Sequence, residues 1–398
     1  MSIPSLKCGW KLVKLGDVVR NANLVERDPV ANGIERIVGL EHLDPENLHI
    51  RRWNSSEDAT SFSRKFVPGQ TLFGKRRAYQ RKVAYAEFEG ICSGDILTFE
   101  TRDRDILLPE LLPFICQSES FFDYALGTSA GSLSPRTSWT ALSDFEFPLP
   151  PLDEQKRISE ILWAADEAVE KLLGTHKSAI KLLESLRNND ICSKNIPRKK
   201  LGMVLQSIVA GKSVNGVNTP AKLNEFGVLK VSAVGANGFK PEENKRLINS
   251  SDFFSQYSVK KNVLLITRCN TTELVGRVCL TNHNYPNLML CDKTLQLNFD
   301  ERKVNTLFIF EVLRSRELRT QLMGCATGTG GAMKNISQQD IRLLLVPMPP
   351  LKDQEQIADQ VLAIGNRIEE IHCQIDKLRN VATQLSNDLM RRNVSTHV

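Results

Sequence analysis

Two stretches of basic and polar side chains have the residue types that contact nucleic acids. Residues 75–82 read Lys-Arg-Arg-Ala-Tyr-Gln-Arg-Lys and stand between the strand-like segments 70–73 and 83–86. Residues 264–278 repeat the order of strand, polar loop and strand, with an arginine near the end of the loop. Cationic side chains suit phosphates, and amide and hydroxyl side chains suit base edges. The candidate DNA-binding residues are Lys75, Arg76, Arg77, Gln80, Arg81, Lys82, Arg268, Asn270, Thr271, Thr272 and Arg277.

No recognisable catalytic pattern accompanies these loops. Gly211-Lys-Ser213 resembles the end of a phosphate-binding loop, but Gln206 stands where that loop requires glycine. Gly328-Thr-Gly-Gly331 lacks the spacing of a dinucleotide fingerprint. The six histidines do not cluster, and the nine cysteines include no CxxC pair. The sequence therefore predicts no catalytic residue, no metal site and no cofactor held by this chain.

The two loops belong to two copies of one sequence unit. Pro148–Ile158 and Pro347–Ile357 lie 199 positions apart, and six of their eleven residues are identical. The same offset pairs Thr128 with Thr327, Gly131 with Gly330, and Ser138 with Ser337. A repeat of this length indicates a duplicated structural unit. Either loop alone is typical of a solvated surface, whereas a matched pair in a duplicated chain favours contact with DNA.

A long helix is predicted after each proline motif. Proline fixes φ and lacks a backbone N–H, so a helix begins only after the motif, where acidic residues favour its first turn. The second helix has an apolar two-position heptad over nearly five repeats, and the first has a weaker copy with His176 in the seam. His176 either specifies the register or lies at the seam's edge. We expect the two helices to pack on each other as rods of roughly 50 Å. The candidate residues for helix–helix packing and partner docking are Ile158, Leu162, Val169, Leu172, Leu183, Leu186, Ile357, Val361, Ile364, Ile368, Ile371, Ile375, Leu378 and Leu385.

With these features the chain resembles a known family. A strand-rich variable region that ends in Pro-Leu-Pro-Pro-Leu-x-x-Gln-x-x-Ile, followed by a long helix and repeated once, resembles the DNA-specificity subunit of bacterial type I restriction-modification systems. The similarity covers essentially the whole chain. It rests on 148–158 and 347–357, on the openings 10–16 and 198–202, and on the approaches 131–138 and 330–337.

The resemblance implies a non-catalytic reader of double-stranded DNA. Each variable region would be a target-recognition domain that reads one half of a split, asymmetric site. The two helices would hold the domains apart and dock two modification subunits, which carry adenine methylation with S-adenosylmethionine. Restriction subunits would carry translocation and cleavage with ATP and Mg.

The fold class expected from the repeat and the resemblance is α+β. It consists of two tandem mixed α/β target-recognition domains separated by two long helices that form an antiparallel coiled coil, a pseudo-two-fold internal duplication. The expected segments are 1–152 for the first target-recognition domain, 153–192 for the first spacer helix, 193–350 for the second domain and 351–393 for the second spacer helix.

Composition is consistent with this expectation. The chain has 398 residues, of which 41% are hydrophobic and 25% charged, and its net charge of +6 favours an anionic partner. No apolar run approaches the roughly 18 residues of a membrane span, and the first ten residues lack a secretory apolar core. We expect a cytoplasmic protein of a bacterium or archaeon with no membrane contact. The alternative is a coiled-coil adaptor with two protein-binding domains and no nucleic-acid role.

Overall fold

A long helix follows each proline motif in the computed structural model, which describes residues 6–57, 61–235, 238–328 and 333–390. The first long helix spans Leu152–Ser185 and continues into a π-helical turn at Leu186–Asp190. The second long helix spans Leu351–Met390. Both begin at the leucine that follows the last proline, as expected from the fixed φ of proline. Residues 391–393 of the predicted second spacer helix, and Gly330 of the repeat, lie outside the described residues.

The chain divides into two units, and each long helix contributes to both. The first unit comprises Met1–Gly174 and Cys373–Val398, and the second comprises Thr175–His372. Each unit thus contains one variable region, part of the first long helix and part of the second. The predicted segments treat each long helix as a separate piece of the chain, whereas the structure divides each long helix between the two units.

The first unit combines a four-stranded antiparallel sheet, a five-stranded sheet and a two-stranded pairing in its described residues. The four-stranded sheet has the order Val19–Asn21, Ile96–Thr101, Thr71–Gly74, Val83–Tyr85. The five-stranded sheet has the order Leu24–Val25, Arg64–Phe66, Gly90–Cys92, Arg36–Val38, Asn54–Ser55, with one parallel pair between the third and fourth. The two-stranded pairing joins Lys11–Lys14 to Glu146–Leu149. The shorter helices are Leu15–Val18, Leu112–Gln117, Glu119–Gly127 and Trp139–Leu142.

The second unit repeats the chain order of the four-stranded sheet, but its five-stranded sheet differs in the place of the first strand, which pairs with the sheet's third strand along the chain rather than with the fourth. Its four-stranded sheet has the order Leu205–Ala210, Thr294–Phe299, Leu264–Thr267, Val278–Leu280. Its five-stranded sheet has the order Gly216–Val217, Asn244–Leu247, Gly227–Leu229, Tyr285–Met289, Ser258–Val259, again with one parallel pair between the third and fourth. Two-stranded pairings join Arg198–Lys200 to Leu345–Pro347, Val234–Gly235 to Gly238–Phe239, and Cys269–Asn270 to Lys334–Asn335. The shorter helices are Thr306–Arg314, Arg316–Cys325 and Gln338–Leu343.

Within each unit the long helices pack against the variable region and against each other. In the first unit, residues 153–161 lie beside 385–389 and residues 162–170 lie beside 378–386, so the two helical parts run antiparallel. Leu162 and Leu389 are buried in the same apolar core as Phe73 and Phe121. In the second unit, Leu183 and Leu186 pack on the core that contains Val361. Every predicted seam side chain is buried or partly buried. His176 is partly buried, with its ring 6.3 Å from that of His372.

The glutamine of each proline motif joins the long helix to its variable region. The Gln155 amide nitrogen donates to the carbonyls of Pro150 and Ile106, at 2.9 and 2.8 Å, and its oxygen accepts from the Leu108 N–H at 3.0 Å. The Gln354 nitrogen donates to the Pro349 carbonyl at 2.8 Å, and its oxygen accepts from the Asn305 N–H at 3.0 Å. Each glutamine is 1% exposed. The repeated motif therefore fixes how the helix leaves the domain.

Candidate nucleic-acid interface

The basic loop, residues 75–82, is held by backbone hydrogen bonds along its first residues. It follows the strand Thr71–Gly74, and the Lys75 N–H donates to the Asp95 carbonyl at 3.0 Å. On its other side, the Arg77 N–H donates to the Pro135 carbonyl at 2.8 Å, and the Lys75 carbonyl accepts from the Thr137 N–H at 3.0 Å. Residues 134–137 therefore act as a return segment that pairs with the start of the loop.

The polar loop, residues 268–277, has the same arrangement. The Arg268 N–H donates to the Lys293 carbonyl at 2.8 Å, and the Arg268 carbonyl accepts from the Ile336 N–H at 2.9 Å. Thr137 and Ile336 occupy the same place in the repeat, 199 positions apart. A return segment, residues 333–336, thus pairs with this loop as well. The backbone frame of the two candidate sites is shared.

Cations gather around a carboxylate at the start of the basic loop. The Arg136 guanidinium donates to Asp95 at 2.8 Å, and Arg76 lies 3.5 Å from the same carboxylate. These contacts, the Arg136 hydrogen bond first, hold the pKa of Asp95 below its usual value. Burial, with the nearby Arg64 and Arg136, lowers the pKa of Lys75. Lys75, Arg76, Arg77 and Arg136 outnumber the carboxylate that lies among them, so the surface is suited to an anion.

The last two cations of the basic loop are engaged by the fold. Arg81 pairs with Glu119, which raises the pKa of Arg81, and its guanidinium lies 5.0 Å from the centre of the Phe122 ring. The Lys82 ammonium donates to the Leu40 carbonyl at 2.6 Å. These two contacts connect the loop to its own domain. The structure thus separates Arg81 and Lys82 from the loop's other candidates; Gln80, beside them, is partly buried.

The polar loop presents a different set of side chains. Arg268, Thr271 and Thr272 are exposed, and Arg277 is partly buried. The Asn270 side-chain oxygen accepts from the Thr271 N–H at 2.9 Å, which shapes the loop locally. The candidate residues of this loop therefore remain together on one short segment, with hydroxyl and amide groups between the two arginines.

Two arginines beside these loops were missed by the sequence analysis. Arg136 stands on the first return segment, which the repeat marked, so its position offered a signal. Arg319 lies on the helix Arg316–Cys325 and donates to the Glu273 carbonyl at 3.1 Å. Burial and the neighbouring Arg277 lower the pKa of Arg319, and its Nη1 atom has no partner among the described residues. No local sequence pattern connects Arg319 to the polar loop.

A histidine fixes the first variable region to its long helix. The two ring nitrogens of His49 lie 2.7 Å from Glu87 and 2.7 Å from Asp166 of the helix. These carboxylates, Asp166 first, raise the pKa of His49. Arg51 adds an ion pair with Glu170 at 3.1 Å. The basic loop is therefore carried by a domain that is anchored to the helix through charged groups.

In the second unit the corresponding anchor is a buried ion pair. The Arg187 guanidinium, in the π-helical turn, lies 2.6 Å from Glu311 of the helix Thr306–Arg314. Arg314 approaches the same carboxylate at 3.2 Å.

Among the described residues there is no group of three or more metal-ligating side chains, and no described helix is long and apolar enough to cross a membrane.

Comparison with known proteins gives the family. A family model described as the type I restriction modification DNA specificity domain matches residues 8–182 and 211–379. The EcoEI specificity subunit of Escherichia coli is 24% identical over 191 residues, a match that covers 48% of this chain but only 32% of that protein. The EcoKI specificity subunit of E. coli strain K12 is 25% identical over 336 residues, covering 78% of this chain and 68% of that protein.

A solved structure shows the same fold over the whole chain. The type I restriction-modification system S subunit from M. genitalium has a TM-score of 0.61 and 12% identity, and the match covers 98% of this chain and 99% of that one. The family model matches both copies of the repeat and most of the chain. The chain therefore belongs to the family of type I restriction-modification DNA specificity subunits.

Proposed function

We propose that each unit reads one half of a bipartite, asymmetric DNA target, the first through the basic loop and the second through the polar loop. The observation that carries this proposal is the shared frame. Both loops leave the third strand of the four-stranded sheet and pair with a return segment in the same register. One frame that supports two different sets of side chains suits a protein that reads two different sequences.

The chemistry of each side chain indicates whether it contacts phosphates or base edges. Lys75, Arg76, Arg77 and Arg136 form the phosphate-binding group of the first half-site, with Gln80 as a base-edge reader. Arg268 and Arg277 bind phosphates of the second half-site, and Asn270, Thr271 and Thr272 contact base edges, since amides and hydroxyls offer both donors and acceptors. Arg81 and Lys82 support the first loop from within the fold rather than meeting DNA.

The partner subunits of the complex carry out methylation, translocation and cleavage. The chain is a non-catalytic subunit whose long helices set the separation of the two readers and dock two modification subunits. Those subunits use S-adenosylmethionine for methylation, and restriction subunits use ATP and Mg for translocation and cleavage. The complex works in the cytoplasm of a bacterium or archaeon. A coiled-coil adaptor without a nucleic-acid role is not favoured, because it gives no reason for loops with cations at the same place of one backbone frame in both units.

Binding-site selection tests this function. The chain is purified with its modification subunits, bound to a random DNA pool at two salt concentrations, and the bound DNA is sequenced. We expect two short conserved blocks with a fixed separation, and an affinity that falls steeply with salt because phosphate contacts release counterions. Recovery of a single block, or of no sequence preference, contradicts the proposal.

A further inference from the structure

A leucine stands almost fully in solvent at the tip of the turn beside the basic loop. Residues 131–135 form this turn, which is closed by reciprocal hydrogen bonds between Ala130 and Arg136, both 3.0 Å. Leu133 occupies its centre and is 91% exposed. A single exposed leucine is ordinary on a protein surface, so what distinguishes Leu133 is its place on a closed turn beside the cations of the basic loop.

The turn is braced, so Leu133 is presented by a defined backbone. Gly131 has a φ of +107°, a conformation that glycine adopts without a steric penalty. The Ser134 hydroxyl accepts from the guanidinium groups of Arg76 and Arg77, at 3.1 and 3.4 Å. The two cations of the basic loop therefore hold the turn that carries Leu133. Bracing of this kind lowers the entropy that the side chain loses when it binds.

The charges around the turn indicate what covers the leucine. Arg136 closes the turn, and Arg76 and Arg77 bind its serine, so Leu133 lies within the group of cations assigned to phosphates. A protein surface that buried this leucine would also meet three guanidinium groups, two of which share the single carboxylate of Asp95. DNA offers both features, since apolar side chains enter between base pairs while cations meet the flanking phosphates.

The second unit carries a related feature. Thr327 and Asn335 exchange reciprocal backbone hydrogen bonds, at 2.9 and 2.8 Å. Met333, beside this pairing, is 52% exposed. The Lys334 ammonium donates to the Gly328 carbonyl at 2.9 Å, so a cation bonds beside this backbone pairing as well. An exposed apolar side chain beside reciprocal backbone hydrogen bonds and a cation thus occurs in both units.

We propose that Leu133 is an apolar wedge that enters a base step of the first half-site and unstacks it. This inference rests on the proposed function and adds a residue that the residue-type analysis did not consider, because leucine neither donates nor accepts hydrogen bonds. The wedge contributes specificity through deformability, since some base steps unstack at lower cost than others. It leaves the number of phosphate contacts unchanged.

The test uses the full chain with its modification subunits and the target obtained by binding-site selection. 2-Aminopurine, whose fluorescence rises when it is unstacked, replaces one base at a time in duplexes that contain the target, except at the adenine that the modification subunits methylate, because a methyltransferase itself extrudes its target base. The variants are Leu133→Ser, Leu133→Met as a conservative replacement, and Leu223→Ser as a matched control. Leu223 is 90% exposed in the second unit and lies on a loop outside the basic cluster. Both positions are exposed, so folding is not at risk.

We expect a several-fold rise in fluorescence at one step of the first half-site with the wild type, Leu133→Met and Leu223→Ser, and no rise with Leu133→Ser. Leu133→Ser should also bind the target roughly tenfold more weakly with an unchanged salt dependence, because no cation is removed. Fluorescence that stays flat at every position with the wild type, or that still rises with Leu133→Ser, overturns the wedge while the selected sequence stands. A wild type that selects no sequence overturns the proposed function and the wedge together.

Discussion

The basic loop and the polar loop differ in side-chain chemistry while sharing one backbone frame. Asp95 in the first unit and Lys293 in the second occupy the same position in the frame, because the carbonyl of each accepts from the N–H of the first loop residue. The Asp95 carboxylate also accepts from Arg136. Arg136 itself corresponds to Asn335. The first site therefore concentrates cations around a carboxylate, and the second spreads arginines among neutral polar groups.

This difference shows which part of each unit is free to vary. The hydrogen bonds of the frame join backbone atoms, so they constrain side-chain identity very little, and each loop can change its reading residues without losing its support. The side-chain contacts of Gln155 and Gln354, by contrast, lie where the motif repeats. The proposed function thus assigns DNA specificity to the loops, and the attachment of the helix depends on the motif.

The largest effect should come from reversing the charge of the basic loop. Lys75→Glu, Arg76→Glu and Arg77→Glu together remove up to three phosphate contacts, each worth about tenfold in affinity at about 0.1 M salt. We expect DNA affinity to fall by more than about 100-fold and the slope of log affinity against log salt to flatten by up to about three units. Selection of the second half-site should persist, because the polar loop is unchanged.

The matched control has the same charge change at exposed cations outside the loop, Arg27→Glu, Arg52→Glu and Arg104→Glu. This control distinguishes the loss of phosphate contacts at the loop from a general effect of lower net charge on DNA affinity. If both triple variants lose affinity equally, the basic loop is not a specific phosphate site and its difference from the polar loop has no role in binding.

The feature that both units share, a motif glutamine that attaches the long helix to the variable region, can be tested by substitution. Gln155→Ala removes the partner of the Pro150 carbonyl in a buried contact and of the Ile106 and Leu108 backbone groups in partly buried ones. Gln354→Ala likewise removes the partner of the Pro349 carbonyl in a buried contact and of the Asn305 N–H in a partly buried one. Each buried group left unpaired costs about 1–3 kcal/mol. We expect each substitution to destabilise its unit by about 2–4 kcal/mol.

Thermal unfolding measures this loss, with Gln360→Ala, an exposed glutamine of the second long helix, as the control. The two motif variants should behave alike, and the control should unfold as the wild type does. A motif variant that is as stable as the control shows that the glutamine does not hold the helix to the domain in that unit.

The elements of this fold were predictable where their signals are local. The proline motifs predicted the starts of both long helices, because proline acts on its own φ and on the residue before it. The apolar stripe predicted which helical positions are buried, since heptad periodicity is a property of one helix. The strands that flank both loops also followed from short apolar runs, and the family comparison and the topology confirm the α+β duplication.

The composition of the sites was less predictable, because it depends on pairing between distant segments. Arg136 reaches Asp95 across 41 residues, and no local pattern specifies that contact. Arg81 and Lys82 have the same residue types as their neighbours in the loop, yet Glu119 and the Leu40 carbonyl engage them. Residue type alone therefore marked the loop as a candidate site but did not show which of its cations pair with the fold.

A smaller effect should come from single cations of the polar loop. Arg277→Gln removes one cation beside Arg319, and if it meets one phosphate the affinity should fall about tenfold at about 0.1 M salt, with the salt slope flatter by about 0.9. Arg302→Gln is the control, since Arg302 is an exposed arginine of the same unit that pairs with Asp300 at 3.0 Å. Equal salt slopes for Arg277→Gln and the wild type would remove Arg277 from the interface and leave the polar loop without its second cation.

The smallest expected effect is a pH-dependent change in stability at the contacts that join each variable region to its long helix. His49 bonds to Asp166 and Glu87, which raise its pKa, so the folded state favours the protonated ring. The stabilisation is therefore complete below the unfolded pKa of about 6.5 and is lost as the pH rises through the higher folded value. The second unit uses Arg187 and Glu311 at its anchor, a pair that contains no histidine.

Thermal unfolding at about pH 6 and about pH 9 tests this difference between the anchors. About 1 kcal/mol corresponds to about 2–4 °C for units of this size, so we expect the wild type to lose a few degrees more than His49→Gln between the two pH values. His283→Gln, at an exposed histidine of the second unit, should keep the wild-type dependence. If His49→Gln instead follows the wild type at both pH values, the His49 contacts contribute no net stability, and the two anchors do not differ in their response to pH.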